Sequence, residues 1–215
     1  MPVATADLIA AWPDVKDSCA RFFGTCLRAA RPDLKSDARV LEIGCCEYDW
    51  LTPAAAAWPE MTVTGIDWRP RKRIPPAGRA LQGDVMTHDF APASFDWIVS
   101  ISAIEHIGLG HYSHDPVRED GDTVTLARAW EWLAPGGWLY FDVPYNPARY
   151  EVVRTSHRIY DDAAVEARLA QGLPWRRHFL GIAGLHDTHQ LIAPRPMKGG
   201  EHFDYIGFWW QKPGA

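Results

Sequence analysis

The sequence predicts an α/β fold, a mostly parallel sheet layered between helices, on three observations. The run Val40-Leu41-Glu42-Ile43-Gly44 is apolar and closes on an acid and a glycine; Val63-Thr64-Gly65-Ile66-Asp67 closes on an acid one segment later. Both read as buried parallel strands whose carboxyl ends form a nucleoside-binding edge. Strand-length apolar runs then alternate with helix-period segments through most of the chain. Glycine beyond the first strand permits close approach of a ligand to the backbone, and the acid after the second can accept both hydroxyls of a ribose.

The elements follow in order. Val15, Cys19, Phe22 and Cys26 recur at helical spacing, so residues 14–30 should form an amphipathic helix, closed by Arg31-Pro32. The first strand is expected over 39–43. Thr52-Pro53 has the form of a cap followed by a first-turn proline, opening a short helix through 58. Strands are expected over 61–66 and 80–82, the latter ending at Gly83-Asp84. The run 97–101 is apolar apart from Ser100, as a central parallel strand should be. Asp122 is expected to cap a helix through 133, stopped by Pro135-Gly136-Gly137. A strand over 138–143 ends at Pro144, a helix runs from Asp161 to near Gly172, and two strands over 176–182 and 205–211 complete the pattern. Two structureless loops remain, 108–121 and 184–202, of a length that usually serves function.

At 215 residues the chain suits one α/β domain, and neither a repeat nor a linker divides it. Eleven tryptophans imply a well-filled core or an aromatic-lined pocket. A net charge of −5 argues against broad binding to nucleic acid, which needs a basic surface. Cys19, Cys26, Cys45 and Cys46 lack CxxC spacing and read as buried reduced thiols. The first ten residues do not form a signal-peptide pattern, and no apolar run reaches bilayer length, so a soluble cytoplasmic protein is expected.

Taken together, these blocks resemble the class I S-adenosylmethionine (SAM)-dependent methyltransferases, of the type acting on small molecules or saccharides. The resemblance rests on Val40 to Cys45, Gly65-Ile66-Asp67, Gln82-Gly83-Asp84-Val85, Phe95 to Ser100, Ala103-Ile104-Glu105-His106-Ile107 and Leu133 to Leu139. It is close from Val40 to Val143 and looser elsewhere. It implies a Rossmann-like three-layer sandwich, with a mostly parallel seven-stranded sheet whose last strand is antiparallel. It also implies roles. Glu42, Gly44 and Cys45 would meet the methionine part of SAM. Asp67 would hold the ribose and Trp68 pack near the adenine. Asp84 would accept from the adenine amino group while the Val85 backbone reads the ring, and Ile101 and Ser102 would line the methionine end. One departure stands out: Cys46 and Tyr48 occupy a turn that is usually made of small residues. Cysteine fits there if its φ is negative.

Methyl transfer to an alcohol or phenol needs a base within hydrogen-bond reach of the acceptor. His106, after the fourth strand, is the first candidate and His157 the second, each against a purely structural reading. Arg158 could hold an acceptor carboxylate or phosphate. Alternatively, Tyr160-Asp161 simply cap the next helix. His111 and His114 in the first loop lack a matched third ligand, so no metal is expected. His186, His189 and His202 lie in or beside the second loop. The cluster Arg69, Arg71, Lys72 and Arg73 reads as a solvated turn.

A nicotinamide enzyme is disfavoured, because Cys45-Cys46-Glu47-Tyr48-Asp49 after Gly44 offers neither the glycines nor the charge that pyrophosphate requires. For nucleic acid, Ser102-Ala103-Ile104-Glu105 replaces the motifs of base methylation after the fourth strand. A non-catalytic module on the same fold and a nucleic-acid methyltransferase remain the alternatives. The acceptor atom, oxygen or nitrogen, and the oligomeric state are not legible.

Overall fold

The computed structural model describes residues 37–46, 60–70, 78–112, 114–181, 195–196 and 202–214. The helices expected over 14–30 and 52–58, Tyr48, His186 and His189 lie outside them.

Apolar, β-branched runs build the middle of the sheet. β1 (Arg39–Ile43) pairs in parallel with β2 (Thr62–Asp67) on one side and β4 (Phe95–Ser100) on the other, and β3 (Gly78–Gln82) continues beyond β2. β5 (Leu133–Tyr145) lies parallel to β4. β10 (His202–Gln211) runs antiparallel to both β5 and β8 (Arg176–Gly181). The order is therefore β3-β2-β1-β4-β5-β10-β8, with the two-residue β9 (Arg195–Pro196) added to β10. This is the expected mostly parallel seven-stranded sheet with an antiparallel last strand. Strand order reverses between β1 and β4, and a crevice opens at such a reversal on the carboxyl edge.

Helix α1 (Gly121–Trp132) covers the sheet with Leu126, Ala129 and Trp132. Trp97, Trp132, Trp209 and Trp210 are fully buried and fill the core, while Trp68 is partly exposed. No helix among the described residues is long and apolar enough to cross a membrane.

Several expectations need correction. Asp120, not Asp122, stands at the N-cap of α1; Asp122 is buried in the first turn, where it accepts from Tyr160 and Arg168. Pro135-Gly136-Gly137 does not separate helix from strand, because β5 begins at Leu133, directly after α1, and absorbs these residues through a register shift against β4. Pro144 does not end β5 either. Pairing with β4 ends at Ser100 opposite Phe141, so no ladder partner on that side needs the missing N–H. Asp161 does cap the next helix, accepting from Ala164 N at 2.7 Å. After one turn, however, that helix becomes a π-helix over Val165–Ala170, and Gln171 follows at φ +54°. The loop 108–121 is not structureless: Leu109 bridges Val117, and Gly108 and Gly110 take positive φ.

An unanticipated hairpin pairs β6 (Glu151–Val153) with β7 (His157–Ile159). Its strands are three residues each, and Arg154 and Thr155 turn at positive φ without the Asn-Gly or Gly pair that normally announces such a turn.

Candidate functional site

A cleft with about 650 Å³ of empty volume opens where β1, β2 and β4 end. Gly44 turns the chain out of β1 at φ +83°, and a Cβ there would lie 2.4 Å from that of Ala103. Only glycine lets the turns after β1 and β4 approach this closely. Cys46 follows with φ outside the positive range and donates its N–H to Asp67 Oδ2 at 3.0 Å. Cysteine therefore meets the condition set for it, and the turn is tied to the end of β2.

Asp67 is buried. Its Oδ1 accepts from Arg69 N at 2.8 Å and from Arg69 Nε at 3.3 Å. An ionised carboxylate has roughly four lone-pair sites, and these three bonds orient the group while leaving acceptor capacity toward the cleft. The Arg69 guanidinium carbon sits 3.8 Å from the centroid of the Tyr112 ring, so the loop 108–121 reaches across to the β2 edge. Trp68 is 37% exposed and forms wall. Further along, Gly83, Asp84 and Val85 line the same cleft. Asp84 Oδ1 accepts from Met86 N at 2.8 Å, and among the described residues Oδ2 has only a long 3.4 Å contact from Thr87 Oγ1.

The opposite wall is Ser102, Ala103, His106 and Ile107. Ser102 adopts φ +46°, an uncommon conformation for serine that needs support. Its N–H donates to Asp142 Oδ1 at 2.5 Å, and its hydroxyl donates to Glu105 Oε1 at 2.8 Å. Asp142 is fully buried on β5 and also accepts from Tyr140 OH at 2.8 Å. Sequence reasoning missed Asp142, although an acid inside the apolar run Tyr140-Phe141-Asp142-Val143 was a usable signal.

His106 sits on a short 3-10 turn, Ile104–His106. Its Nδ1 lies 2.6 Å from the Ser156 carbonyl, so the Nδ1 proton is donated there and the neutral ring carries its lone pair on Nε2. His111 stacks on this ring at 5.3 Å, and His157 approaches edge-on at 6.2 Å. Glu105 is buried, and desolvation pushes its carboxyl up to about 7 against the pull of Ser102 and Arg158. Burial likewise raises Asp115, which lines the cleft mouth.

Of the residues named from the sequence, Gly44, Asp67, Trp68, Asp84, Val85, Ser102 and His106 line this cleft together. Glu42, Cys45 and Ile101 are buried beside it without lining it. His157 stands behind His106. Arg158 is fully buried and donates to the carbonyls of Glu105, Ile107 and Glu119, so it is not placed to meet an acceptor. His114 lies in the 108–121 loop at φ +67°, and no group of metal-ligand type forms among the described residues.

The donor set fits an adenosyl cofactor. Two carboxylates suit the hydroxyls of a ribose and the amino group of an adenine, and they would repel a pyrophosphate.

A family model described as a methyltransferase domain matches residues 15–207. Trans-aconitate 2-methyltransferase of Streptomyces avermitilis is 32% identical over 165 residues, covering 71% of this chain and 54% of that protein. Methyltransferase str2 of Strobilurus tenacellus is 32% identical over 126 residues, covering 57% of this chain and 41% of that protein. The chain thus spans about half the length of the curated relatives it matches. Among solved structures, the fold is similar to that of the Burkholderia thailandensis 1,6-didemethyltoxoflavin-N1-methyltransferase with bound 1,6-didemethyltoxoflavin and S-adenosylhomocysteine. That TM-score is 0.59 at 18% identity, with 98% of this chain and 88% of that one covered.

Proposed function

This chain belongs to the methyltransferase domain family, whose cofactor is SAM, and we propose that it transfers a methyl group to oxygen or nitrogen of a small-molecule or saccharide acceptor. The observation that carries this reading is one cleft lined by Gly44, Asp67, Trp68, Asp84 and Val85 on one side and by Ser102 and His106 on the other. Asp67 would hold the ribose, Trp68 and the Val85 backbone the adenine ring, and Asp84 its amino group. Gly44 and Ser102 would border the methionine end, with Glu42, Cys45 and Ile101 packed behind them. The cofactor supplies an electrophilic methyl group on a sulfonium.

The protein's own part is alignment and proton removal. The end of β4 presents Ser102 and His106 to the space in which an acceptor would lie. His106 is oriented by the Ser156 carbonyl, which leaves Nε2 as the basic atom, and it takes the proton of a hydroxyl acceptor. His157, second in line, supports that ring rather than meeting the acceptor. The molecules named for the relatives, trans-aconitate and 1,6-didemethyltoxoflavin, are small, and that favours this acceptor class over nucleic acid.

Isothermal titration calorimetry with SAM, S-adenosylhomocysteine and NAD in parallel tests the reading. Micromolar binding of both adenosyl ligands and none of NAD supports it. Absence of adenosyl binding by folded protein sinks it and leaves a non-catalytic module. With binding in hand, a panel of carboxylic acids, phenols, amines and sugars with radiolabelled SAM resolves the acceptor.

A further inference from the structure

Behind the cleft wall formed by Ser102 and His106 lies a carboxyl group that alignment of the substrates does not require. Glu105 is 1% exposed. Its Oε1 accepts from Ser102 Oγ at 2.8 Å and lies 3.7 Å from His106 Nε2, while Oε2 is buried with no hydrogen-bond partner among the described residues. At 3.7 Å the two groups feel each other's charge but are too far apart for a direct hydrogen bond. The Nδ1 side of the ring is already committed to Ser156. The carboxyl therefore lies beside the one ring nitrogen that gains a proton if His106 acts as base.

We propose that Glu105 is the charge partner of His106, a positioning residue whose buried carboxylate acts through space on the imidazole and sets its basicity. This rests on the reading of His106 as the base. The proton balance is simple. The acceptor oxygen or nitrogen forms its bond to the methyl carbon, the carbon–sulfur bond breaks onto a neutral thioether, and the acceptor's proton passes to His106 Nε2. The Glu105 carboxylate then faces the imidazolium, and the proton leaves to solvent through the cleft when product departs. The pair accepts a proton only when it holds none, so the competent form appears as pH rises through the pair's upper titration.

The surroundings make the pair separable from its neighbours. Arg158 of β7 reaches the Glu105 main-chain carbonyl, and its charge lowers the Glu105 carboxyl, while burial raises that carboxyl more strongly. From β5, Asp142 approaches through the Ser102 N–H. On α1, Asp122 faces the Arg158 side chain, and Tyr160 after β7 binds Asp122. His157 and His111 contact the His106 ring itself.

Histidine side-chain NMR titration of uniformly 15N-labelled protein tests the proposal without an acceptor, with infrared spectroscopy following the carboxylic-acid carbonyl band. His106 is assigned by its loss in His106→Asn, and the Glu105 band by its loss in Glu105→Gln. In Glu105→Gln the His106 midpoint should fall by about one pH unit or more, the range expected on losing an opposite charge at this distance. In His106→Asn the Glu105 band should titrate at higher pH than in wild type, and this second arm stands if the glutamine variant does not fold. A His106 midpoint unmoved in Glu105→Gln, or a Glu105 band unmoved in His106→Asn, overturns the proposal. Calorimetry with S-adenosylhomocysteine on the same samples separates the two failures. Binding by wild type and both variants with no movement of either midpoint sinks this inference alone; no binding by wild type sinks the methyl-transfer reading.

Discussion

Burying Glu105 makes its cost to the fold depend on pH, and that cost can be measured. The carboxyl stands at about 7 in the folded chain against an ordinary 4.5, with desolvation as the dominant cause. A folded-state value above the unfolded one means that the contribution to stability is complete below about 4.5 and is lost as pH rises through about 7, because the unfolded chain ionises first. At about 1.4 kcal/mol per pH unit, the wild type should lose about 2.5 kcal/mol from this group between pH 5 and pH 8. Glutamine keeps the shape and does not titrate. Urea unfolding of wild type and Glu105→Gln at the two pH values should therefore show the difference between them moving by about 2.5 kcal/mol in the variant's favour at pH 8. Titrating groups other than His106 are common to both proteins and cancel, and the His106 contribution is taken from its NMR midpoint in each protein. A difference that stays constant between pH 5 and pH 8, or moves in the wild type's favour, would refute the argument that Glu105 is held in a dry site above its ordinary range.

Further outcomes follow from the cleft and its supports. Gly44→Ala places a methyl group 2.4 Å from Ala103 Cβ at φ +83°, so it should cost about 2–4 kcal/mol in urea unfolding. It should also weaken S-adenosylhomocysteine binding by calorimetry at least about tenfold, since tenfold is only about 1.4 kcal/mol. Gly136→Ala, at φ +77° with nothing within 4 Å, should cost about 1 kcal/mol and leave binding unchanged, which separates backbone strain from steric clash. Asp67→Ala removes the acceptor for the Cys46 and Arg69 N–H groups as well as the proposed ribose partner, and adenosyl binding should fall about a hundredfold or more. Arg158→Met should destabilise by about 3–5 kcal/mol in the same unfolding assay, because three carbonyls lose a buried donor and Asp122 loses one of its two cations.

The half of the site nearest the strand ends was legible because each of its parts is local. Asp67 ends β2, Gly44 follows β1 directly and Asp84 lies two residues past β3, and an acid or glycine at or just past the end of an apolar run is visible without knowing what lies across from it. Strand boundaries were less so. Pro144 and Pro135-Gly136-Gly137 carry real conformational preferences, but the ladder left both sites without a conflicting hydrogen bond on the β4 side, and the strand ran through them. Asp122 looked like a cap by position and is instead drawn inward by Arg168 and Tyr160, which lie 46 and 38 residues away in the chain. A local rule cannot register a partner at that separation.

The same reasoning explains why the acceptor side stayed indistinct. His106 comes from the turn after β4, its Nδ1 partner from the β6–β7 hairpin 50 residues on, and its ring neighbours His111 and Tyr112 from the intervening loop. Arg158 fastens that hairpin to the carbonyls on either side of His106, through bonds to Glu105 and Ile107. The residue that reads from the sequence as an anion holder thus fixes the backbone on either side of the proposed base, while the ring of the histidine beside it meets the His106 ring edge-on. The proposed cofactor contacts lie at strand termini, and the proposed acceptor contacts lie between chain-distant segments. Exchanging the 108–121 loop should therefore alter acceptor choice while the Gly44, Asp67 and Asp84 positions continue to bind S-adenosylhomocysteine, provided the Arg69–Tyr112 contact is retained.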